Sequence, residues 1–314
     1  MTGAVVAATL LLLEDDDVLG PLARPFPRDE IEQAVRIVVP AINVLLGYAP
    51  WRATRALGLL AERIASPGFI AHYVLRKHLV RTAILEALRD GFRQVVLLGA
   101  GFDMLGHTLP ETARVFELDL PAARRAKRDA MLREPVAKTT YLEADFSQES
   151  LRQVLDACSE FDPRSATVFV AEGLVMYLAC DRVMTLLGDI AHFPAPTRSV
   201  FSVITPDARG DMRLHSQRRI VDRVMRFLEE PFVWGIDEPS MSKTFAASDL
   251  IVDEIRSTSD LRSEHFAGLP KNRLPRDTGE RIIFASNQLA SKKACPKATA
   301  ANQSARAISL AQDV

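Results

Sequence analysis

The segment Val95-Val96-Leu97-Leu98-Gly99-Ala100-Gly101-Phe102-Asp103 is the most informative one in this chain. Its apolar run ends abruptly in Gly-x-Gly, and a second strand-like segment, 114–119, closes on Asp119. A strand that ends in glycines lets its backbone approach a ligand closely, because no Cβ intervenes. An acid closing the next strand, about 20 residues on, is where α/β nucleotide sites bind a ribose. Together the two features predict a site for a nucleoside-containing cofactor.

Segments of the same kind recur along the chain and alternate with helical patterns. The predicted strands are short, apolar and often β-branched, as strands covered on both faces should be: 95–99, 114–118, 139–143, 167–171, 198–204, 251–256 and 281–285. The helical patterns between the first five lie at 121–133, 147–157 and 180–192. This alternation predicts an α/β fold with a doubly wound, mostly parallel sheet and right-handed crossovers.

The regions around this alternation set the expected domain organisation. Residues 1–90 show helical spacing and no convincing strand, so we expect an N-terminal helical cap. Its last helix should run from Phe69 to Leu88, with Gly91 placed to end it. Residues 91–286 form the predicted main domain.

Two segments of the second half depart from the strand and helix pattern. An insertion at about 205–250 contains Arg209–Glu230, a strongly charged stretch that we expect to be helical. Residues 287–314 are rich in Ala, Ser and Lys and lack aromatic residues, so a disordered tail is predicted there.

Composition limits the classes of partner. The net charge is −1, with 48% hydrophobic and 25% charged residues, so no general attraction to nucleic acid or an anionic membrane is expected. The apolar segment 2–13 lacks a basic start and is too short to span a bilayer. We expect it to be a helix that packs on the body or on a partner. Cys158, Cys180 and Cys295 show no metal or disulfide spacing, which favours a reducing cytoplasm. Nothing predicts the oligomeric state.

Gly99 and Gly101 alone do not identify the cofactor. A dinucleotide fingerprint has a third glycine, and Met104 stands at that position. On spacing, Gly99, Gly101 and Asp119 therefore fit either NAD or another adenosine cofactor.

Four ordered blocks together resemble the leucine carboxyl methyltransferase family. They are Leu98–Asp103, Phe116–Pro121, Tyr141–Phe146 and Phe169–Tyr177. That family comprises class I S-adenosylmethionine-dependent enzymes with a Rossmann-like sheet, including many bacterial small-molecule O-methyltransferases. The likeness is good over about residues 69–200. It implies S-adenosyl-L-methionine as the cofactor. No metal is expected, because the cysteines have no metal-binding spacing.

The resemblance also implies roles for individual residues on the adenosine side. Gly99 and Gly101 would let the loop backbone pass beside the methionine half of the cofactor. Asp119 would accept hydrogen bonds from both ribose hydroxyls, which suits the two oxygens of a carboxylate. Asp145 would take the adenine amino hydrogen, and Phe146 would offer a backbone N–H and an apolar edge.

On the amino acid side, the resemblance implies two charged residues. Glu172 would complement the ammonium group. Arg76, in a Tyr73-x-x-Arg76 pattern, would bind the methionine carboxylate through two of its guanidinium nitrogens. Arg81 is the alternative residue for this role.

Several of these residues also have simple structural interpretations. Asp103 is more simply a helix cap after the glycine loop, and Asp145 could be a turn-forming acid before Ser147. Glu117 could be a supporting partner or an exposed strand residue. Arg76 could lie on a helix surface, and Tyr177 could touch substrate or pack behind the loop.

The chemistry of the acceptor decides whether a base is needed. A carboxylate is ionised near pH 7 and needs none, whereas a phenol or alcohol needs a nearby His, Asp or Glu. His107 and His215 could reach substrate, but no residue is assigned as the catalytic base. The resemblance therefore implies a methyltransferase acting on a small molecule, with a carboxylate as the favoured acceptor.

Two further possibilities stay open: a protein C-terminal carboxyl methyltransferase and a non-catalytic cofactor-binding regulator. Five aromatic residues could line an apolar acceptor cleft or belong to the core: Phe26, Trp51, Phe227, Phe232 and Trp234.

Overall fold

A seven-stranded sheet forms the centre of the computed structural model, which describes residues 9–13, 16–17, 19–38, 51–130, 138–227, 230–265 and 277–291. The strands are β1 Gln94–Leu98, β2 Arg114–Asp119, β3 Lys138–Glu143, β4 Thr167–Ala171, β5 Thr197–Ile204, β6 Ile251–Ser257 and β7 Glu280–Ser286. Their order in the sheet is β3-β2-β1-β4-β5-β7-β6. Every predicted strand is confirmed to within one residue at each end.

The first five strands are parallel, and β7 runs antiparallel between β5 and β6. The predicted doubly wound, mostly parallel fold is therefore confirmed. Because β1 to β4 are parallel neighbours, their carboxyl ends meet at one edge of the sheet. The residues predicted to bind a cofactor follow these ends, so the topology brings them to a common edge.

Helices cover both faces of the sheet. They are α1 Gly20–Ala23, α2 Arg28–Val38, α3 Trp51–Ala65, α4 Phe69–Arg89, α5 Pro121–Ala130, α6 Leu151–Asp156, α7 Cys180–Ala191, α8 Arg219–Phe227, α9 Glu238–Ala246, α10 Thr258–His265 and α11 Gln288–Ser291. None of the helices in the described ranges has the length and apolar character that crossing a membrane requires.

The alternation of side chains along β1 shows how the two faces are filled. Val95 and Leu97 pack with α4 and the N-terminal segments, whereas Val96 and Leu98 pack with α6, α7 and α9 on the opposite face. A strand buried on both sides reads as a continuous apolar run, which explains the sequence at 95–98.

The predicted helix at 69–88 is confirmed as α4, and Gly91, with φ of 95°, follows its end. The helix predicted at 147–157 is shorter, because Ser150 caps α6. The Ser150 hydroxyl accepts the N–H of Gln153, and the Gln153 side chain accepts the N–H of Ser150. Residues 131–133 of the helix predicted at 121–133 lie outside the described residues.

The helix predicted over Arg209–Glu230 was wrong in its first half, and α8 begins only at Arg219. Asp207 Oδ1 accepts the N–H groups of Arg209 and Asp211 at 2.8 and 3.1 Å, and Gly210 has φ of 84°. This turn cannot continue as a helix, since a local carboxylate takes the backbone donors.

Both ends of the described chain pack on the body. Residues 9–12 are helical, and Leu10, Leu11 and Leu13 are buried in the core, while residues 1–8 lie outside the described ranges. At the other end α11 lies within the segment predicted to be a disordered tail. Asn287 Nδ2 there donates to the carbonyl of Ala195 at 2.9 Å. Residues 292–314 lie outside the described ranges.

Candidate cofactor site

The loop after β1 has the conformation that its glycines predict. Gly99 and Gly101 have φ of 63° and 47°, where L side chains are strained. A Cβ on Gly99 would lie 2.9 Å from Cδ1 of Leu174, so the loop passes too close to the β4 side for a side chain. The loop therefore needs glycine for its conformation and, at Gly99, also for space.

Asp119 faces this loop from the end of β2. Its Oδ2 accepts the N–H of Gly101, and its Oδ1 accepts the N–H of Leu120 at 2.7 Å. Burial raises the pKa of the Asp119 carboxyl, and these two backbone donors oppose the rise. Gly101 and Asp119 therefore meet at one edge of the sheet.

Asp145 and Phe146 follow β3 at the same edge. Asp145 Oδ1 accepts the N–H and the hydroxyl of Ser147 at 3.0 and 2.6 Å, so Asp145 does form the turn that was its alternative role. The Phe146 ring is buried in the core, and its carbonyl accepts Nε of Arg182 at 2.9 Å. The ring therefore offers little apolar edge to a ligand.

Arg76 and Glu172, predicted to bind opposite charges of one ligand, contact each other. Arg76 Nε donates to Glu172 Oε1 at 2.7 Å, and Lys77 Nζ donates to Glu172 Oε2 at 2.9 Å. All three side chains are at least nine-tenths buried, so Arg76 is not a surface helix residue. The attraction between the Glu172 carboxylate and the two cations offsets part of the free-energy cost of burying these charges.

A second buried acid holds Arg76 from the other side. Glu280, at the start of β7, accepts Nη1 of Arg76 at 2.6 Å with each of its oxygens. His72 Nε2 lies 2.5 Å from Glu280 Oε2, and Thr258 Oγ1 lies 3.1 Å from His72 Nδ1. Burial opposes ionisation of Glu280, but Arg76 and His72 outweigh it and hold the Glu280 pKa well below its usual range.

The contacts among His72, Arg76, Lys77, Glu172 and Glu280 form one buried network, and Asp103 connects this network to the glycine loop. Asp103 Oδ1 accepts the N–H of Leu105 at 2.9 Å in a local turn, whereas Met104 and not Asp103 is the N-cap of the 3₁₀ turn Leu105–Thr108. Asp103 Oδ2 lies 2.6 Å from Nζ of Lys77. Burial alone would lower the pKa of Lys77, but Asp103 and Glu172 raise it above its usual range. Lys77 therefore joins the loop after β1 to the loop after β4.

Glu117 belongs to the support behind the loop and is not an exposed strand residue. It is buried and lies 2.6 Å from Nζ of Lys127, which also donates to the carbonyl of Asp103. Burial raises the pKa of Glu117, and Lys127 only partly offsets this effect. A Cβ on Gly106 would lie 2.9 Å from Glu117 Oε1, so the neighbouring turn packs tightly on this pair.

Sequence reasoning missed three members of the network: His72, Lys77 and Glu280. One signal was available, since His72 and Arg76 are one helical turn apart on α4 and Lys77 adjoins Arg76. Glu280 lies 204 residues from Arg76, and no local pattern could have paired them.

The two histidines considered as bases differ in position. His215 Nε2 lies 3.1 and 3.2 Å from the carbonyls of Thr205 and Pro206, so it is protonated there and donates. A nitrogen that donates to backbone carbonyls is not available to remove a proton from substrate. His107 lies in the 3₁₀ turn Leu105–Thr108 after the glycine loop.

The aromatic residues considered for an acceptor cleft fall into different places. Phe26 and Trp234 are buried in the core, whereas Phe227 is 85% exposed. Phe232 packs edge to face on Tyr177, with ring centroids 5.3 Å apart. The Trp51 side chain lies outside the described residues. Phe232 and Tyr177 therefore remain as candidates to line a cleft.

A sequence model of the family described as "Leucine carboxyl methyltransferase" matches residues 21–191. The chain belongs to this family. The match spans α1 to α7 and includes the glycine loop, Asp119, Asp145 and Glu172. It confirms the resemblance drawn from the four sequence blocks.

Individual relatives agree with this family. A Parafrankia protein provisionally named an S-adenosyl-L-methionine-dependent methyltransferase is 32% identical over 163 residues, which is 50% of each chain. A Mycobacterium avium protein with the same provisional name is 33% identical over 182 residues, which is 56% of each chain. The chain thus spans about half the length of the curated relatives that it matches.

One solved structure shows the fold. A Thermobifida fusca protein, provisionally titled a methyltransferase, has a TM-score of 0.50 and 17% identity, over 85% of this chain and 97% of that one. This likeness supports a Rossmann-like class I methyltransferase fold.

Proposed function

We propose that this chain is an S-adenosylmethionine-dependent O-methyltransferase that methylates a small molecule, and that the acceptor group is a carboxylate. The observation that carries the proposal is the placement of Asp119 over a glycine loop at the carboxyl edge of a parallel sheet. Membership of the leucine carboxyl methyltransferase family supports the reaction class.

The residues present fit the adenosine part of the cofactor. Asp119 Oδ1 and Oδ2 are fixed by backbone N–H groups, so the carboxylate is oriented before a ribose arrives. Gly99 and Gly101 present bare backbone beside it. Asp145 lies at the end of the neighbouring strand, where its carboxylate would accept the adenine amino hydrogen and the backbone N–H of Phe146 would donate to the ring.

The buried charges fit the amino acid part. Arg76 and Glu172 are adjacent, and a zwitterionic amino acid carries its carboxylate and ammonium on one carbon atom. An adjacent cation and anion in the protein can therefore serve both groups at once. The positive charge of Lys77 is paired with the negative charge of Asp103.

When bound, this cofactor supplies a methyl group on a positively charged sulfur for an in-line displacement. The chain's contribution is alignment and the exclusion of water, which can account for most of the acceleration in such a reaction. An ionised carboxylate acceptor needs no base, so it asks nothing of His215, whose Nε2 already donates to backbone carbonyls.

Side chains near this edge support an acceptor with an apolar body. Phe232 and Tyr177 pack together, and the N–H of Val233 donates to the carbonyl of Met176 at 2.8 Å, which fastens the insertion beside the end of β4. Aromatic rings provide apolar contact area for a ligand. We therefore propose a small organic acid as the substrate. The net charge of −1 supports a protein of the cytoplasm without a nucleic acid or membrane partner.

Transfer of labelled methyl groups tests the proposal. The protein is incubated with methyl-labelled S-adenosylmethionine and a panel of organic acids and phenols, and separately with a cell lysate. We expect base-labile label in a small extractable product. Label in protein C-termini would favour a protein carboxyl methyltransferase. Cofactor binding without transfer to any acceptor would favour a non-catalytic regulator.

The cofactor is tested separately from the reaction. A ligand that binds only the folded state raises the melting temperature, so S-adenosylhomocysteine should raise it and NADH should not. The opposite result would replace the methyltransferase proposal with a dehydrogenase.

A further inference from the structure

The guanidinium group of Arg76 is held at two of its three nitrogens. Nε donates to Glu172 at 2.7 Å, and Nη1 donates to Glu280 at 2.6 Å. Among the described residues, no protein acceptor contacts Nη2. A planar guanidinium that is fixed at two nitrogens has its third nitrogen fixed in direction as well.

The carboxylate of Glu280 is itself held by two side chains of α4, Arg76 and His72. His72 on α4 lies 2.5 Å from Oε2, and His72 in turn contacts Thr258 at the start of α10. The hydroxyls of Thr258 and Thr278 lie 3.0 Å apart, and Glu280 begins β7 opposite Ile204 of β5. Its carboxylate therefore has little freedom to move.

The location of this cluster connects it to the candidate cofactor site. Glu172 follows β4, the parallel neighbour of β1, so Arg76 lies at the edge that carries the glycine loop. Glu172 and Glu280 are both buried beside Arg76, with Lys77 and His72 as further partners, and burying such a charged cluster is costly. Since this cost arises at the edge that carries the candidate cofactor site, the cluster is suited to holding Arg76 in one position.

We infer that Glu280 is a positioning residue, which holds Nη1 of Arg76 so that Nη2 donates to the carboxylate of the cofactor's methionine portion. The inference rests on the proposed function. Glu280 does not touch the ligand in this arrangement and acts only through Arg76.

The experiment measures two ligands that differ by one group. Calorimetry gives the dissociation constants of S-adenosylhomocysteine and of its decarboxylated analogue, which keeps the ammonium. For Glu280→Gln we expect about a tenfold weaker affinity for S-adenosylhomocysteine, since a charged partner of Arg76 is lost. The affinity for the decarboxylated analogue should stay within about twofold of the wild type.

Two further variants make the result specific. Glu238→Gln is the control, because Glu238 is about half exposed and accepts Nε of Arg281 at 2.6 Å, in a pair that does not include Arg76. Its affinities for both ligands should equal those of the wild type. Glu280→Asp keeps the charge but withdraws the carboxylate, so it should show the same selective loss, and it replaces Glu280→Gln if that variant does not fold.

The outcomes separate this inference from the function on which it rests. Equal weakening for both ligands would mean that Glu280 has only a structural role, and unchanged affinity for S-adenosylhomocysteine would mean that it has no role at the site. Either result overturns the inference alone. Wild-type protein that is folded and binds neither ligand would overturn the proposed function as well.

Discussion

Arg76 Nε and Glu172 Oε1 lie 2.7 Å apart, although the two residues are separated by 96 positions in the chain. This ion pair joins α4 to the loop after β4 and places one cation and one anion side by side at the carboxyl edge of the sheet. The amino acid group of a ligand carries a carboxylate and an ammonium, so its anion can pair with Arg76 and its cation with Glu172. The relationship explains why both charges are buried beside a candidate cofactor site.

Replacing Asp119 should weaken cofactor binding without unfolding the protein. Asp119→Asn removes the charge that two ribose hydroxyls would share, so we expect the affinity for S-adenosylhomocysteine to fall by about 10- to 100-fold. Calorimetry measures the affinity, and thermal unfolding checks the fold. Asp90→Asn is the control, since Asp90 pairs with Arg198 near the start of β5. Wild-type affinity in Asp119→Asn would exclude Asp119 from the site.

Lys77 should contribute strongly to stability. Lys77→Met leaves the buried carboxylates of Asp103 and Glu172 with one cation fewer, and we expect a loss of about 3 kcal/mol in the free energy of unfolding. Urea denaturation measures this change. The control Lys138→Met removes an exposed pair with Glu160 and should change stability by less than about 0.5 kcal/mol. Equal effects of the two substitutions would show that burial of the pair does not matter.

A methyl group at Gly99 should damage the loop. Gly99→Ala places a Cβ 2.9 Å from Leu174 at a positive φ, so we expect a loss of about 2 kcal/mol together with weaker cofactor binding. Gly188→Ala, inside α7 with open space around its Cβ, should instead stabilise the protein by about 0.5–1 kcal/mol. Leu174→Ala in the Gly99→Ala background should recover part of the loss. If Gly99→Ala changed neither the stability nor the cofactor affinity, the close approach of Leu174 to this loop would have no functional weight.

The contribution of Glu280 to stability should depend on pH in a defined direction. Its pKa in the folded protein is lowered by Arg76 and His72 against the opposing effect of burial. The stabilisation is therefore present above the unfolded value of about 4.5 and is lost as the pH falls towards the folded value. The difference in unfolding free energy between wild type and Glu280→Gln should shrink from about pH 6 to about pH 3.5. A difference that grows on acidification would contradict the lowered pKa.

The central strands β1 and β4 were predictable because they are buried on both faces. Continuous apolar runs bounded by Gly, Asp or Pro specify such strands locally, and 167–171 agrees with β4 residue for residue. The charged stretch at 209–218 was mispredicted because charge alone does not define a helical period. A carboxylate at Asp207 and a glycine at position 210 favour a turn there, and both are visible in the sequence.

Only the part of the candidate site at the carboxyl ends of the parallel strands could be predicted from the sequence. Gly101 and Asp119 follow neighbouring strands, so their contact follows from the topology. Glu280 joins the site through an antiparallel strand that comes from the far end of the chain. That contact depends on tertiary packing between β7 and α4, which no local motif encodes.

Calorimetric titration of the wild-type protein with S-adenosylhomocysteine tests the central claim most directly. We expect saturable binding at one site per chain, with a dissociation constant in the micromolar range or tighter, and weaker binding by the folded Asp119→Asn variant. Absence of binding by wild-type protein with a cooperative unfolding transition would contradict the claim that the carboxyl edge of this sheet holds a sulfonium methyl donor.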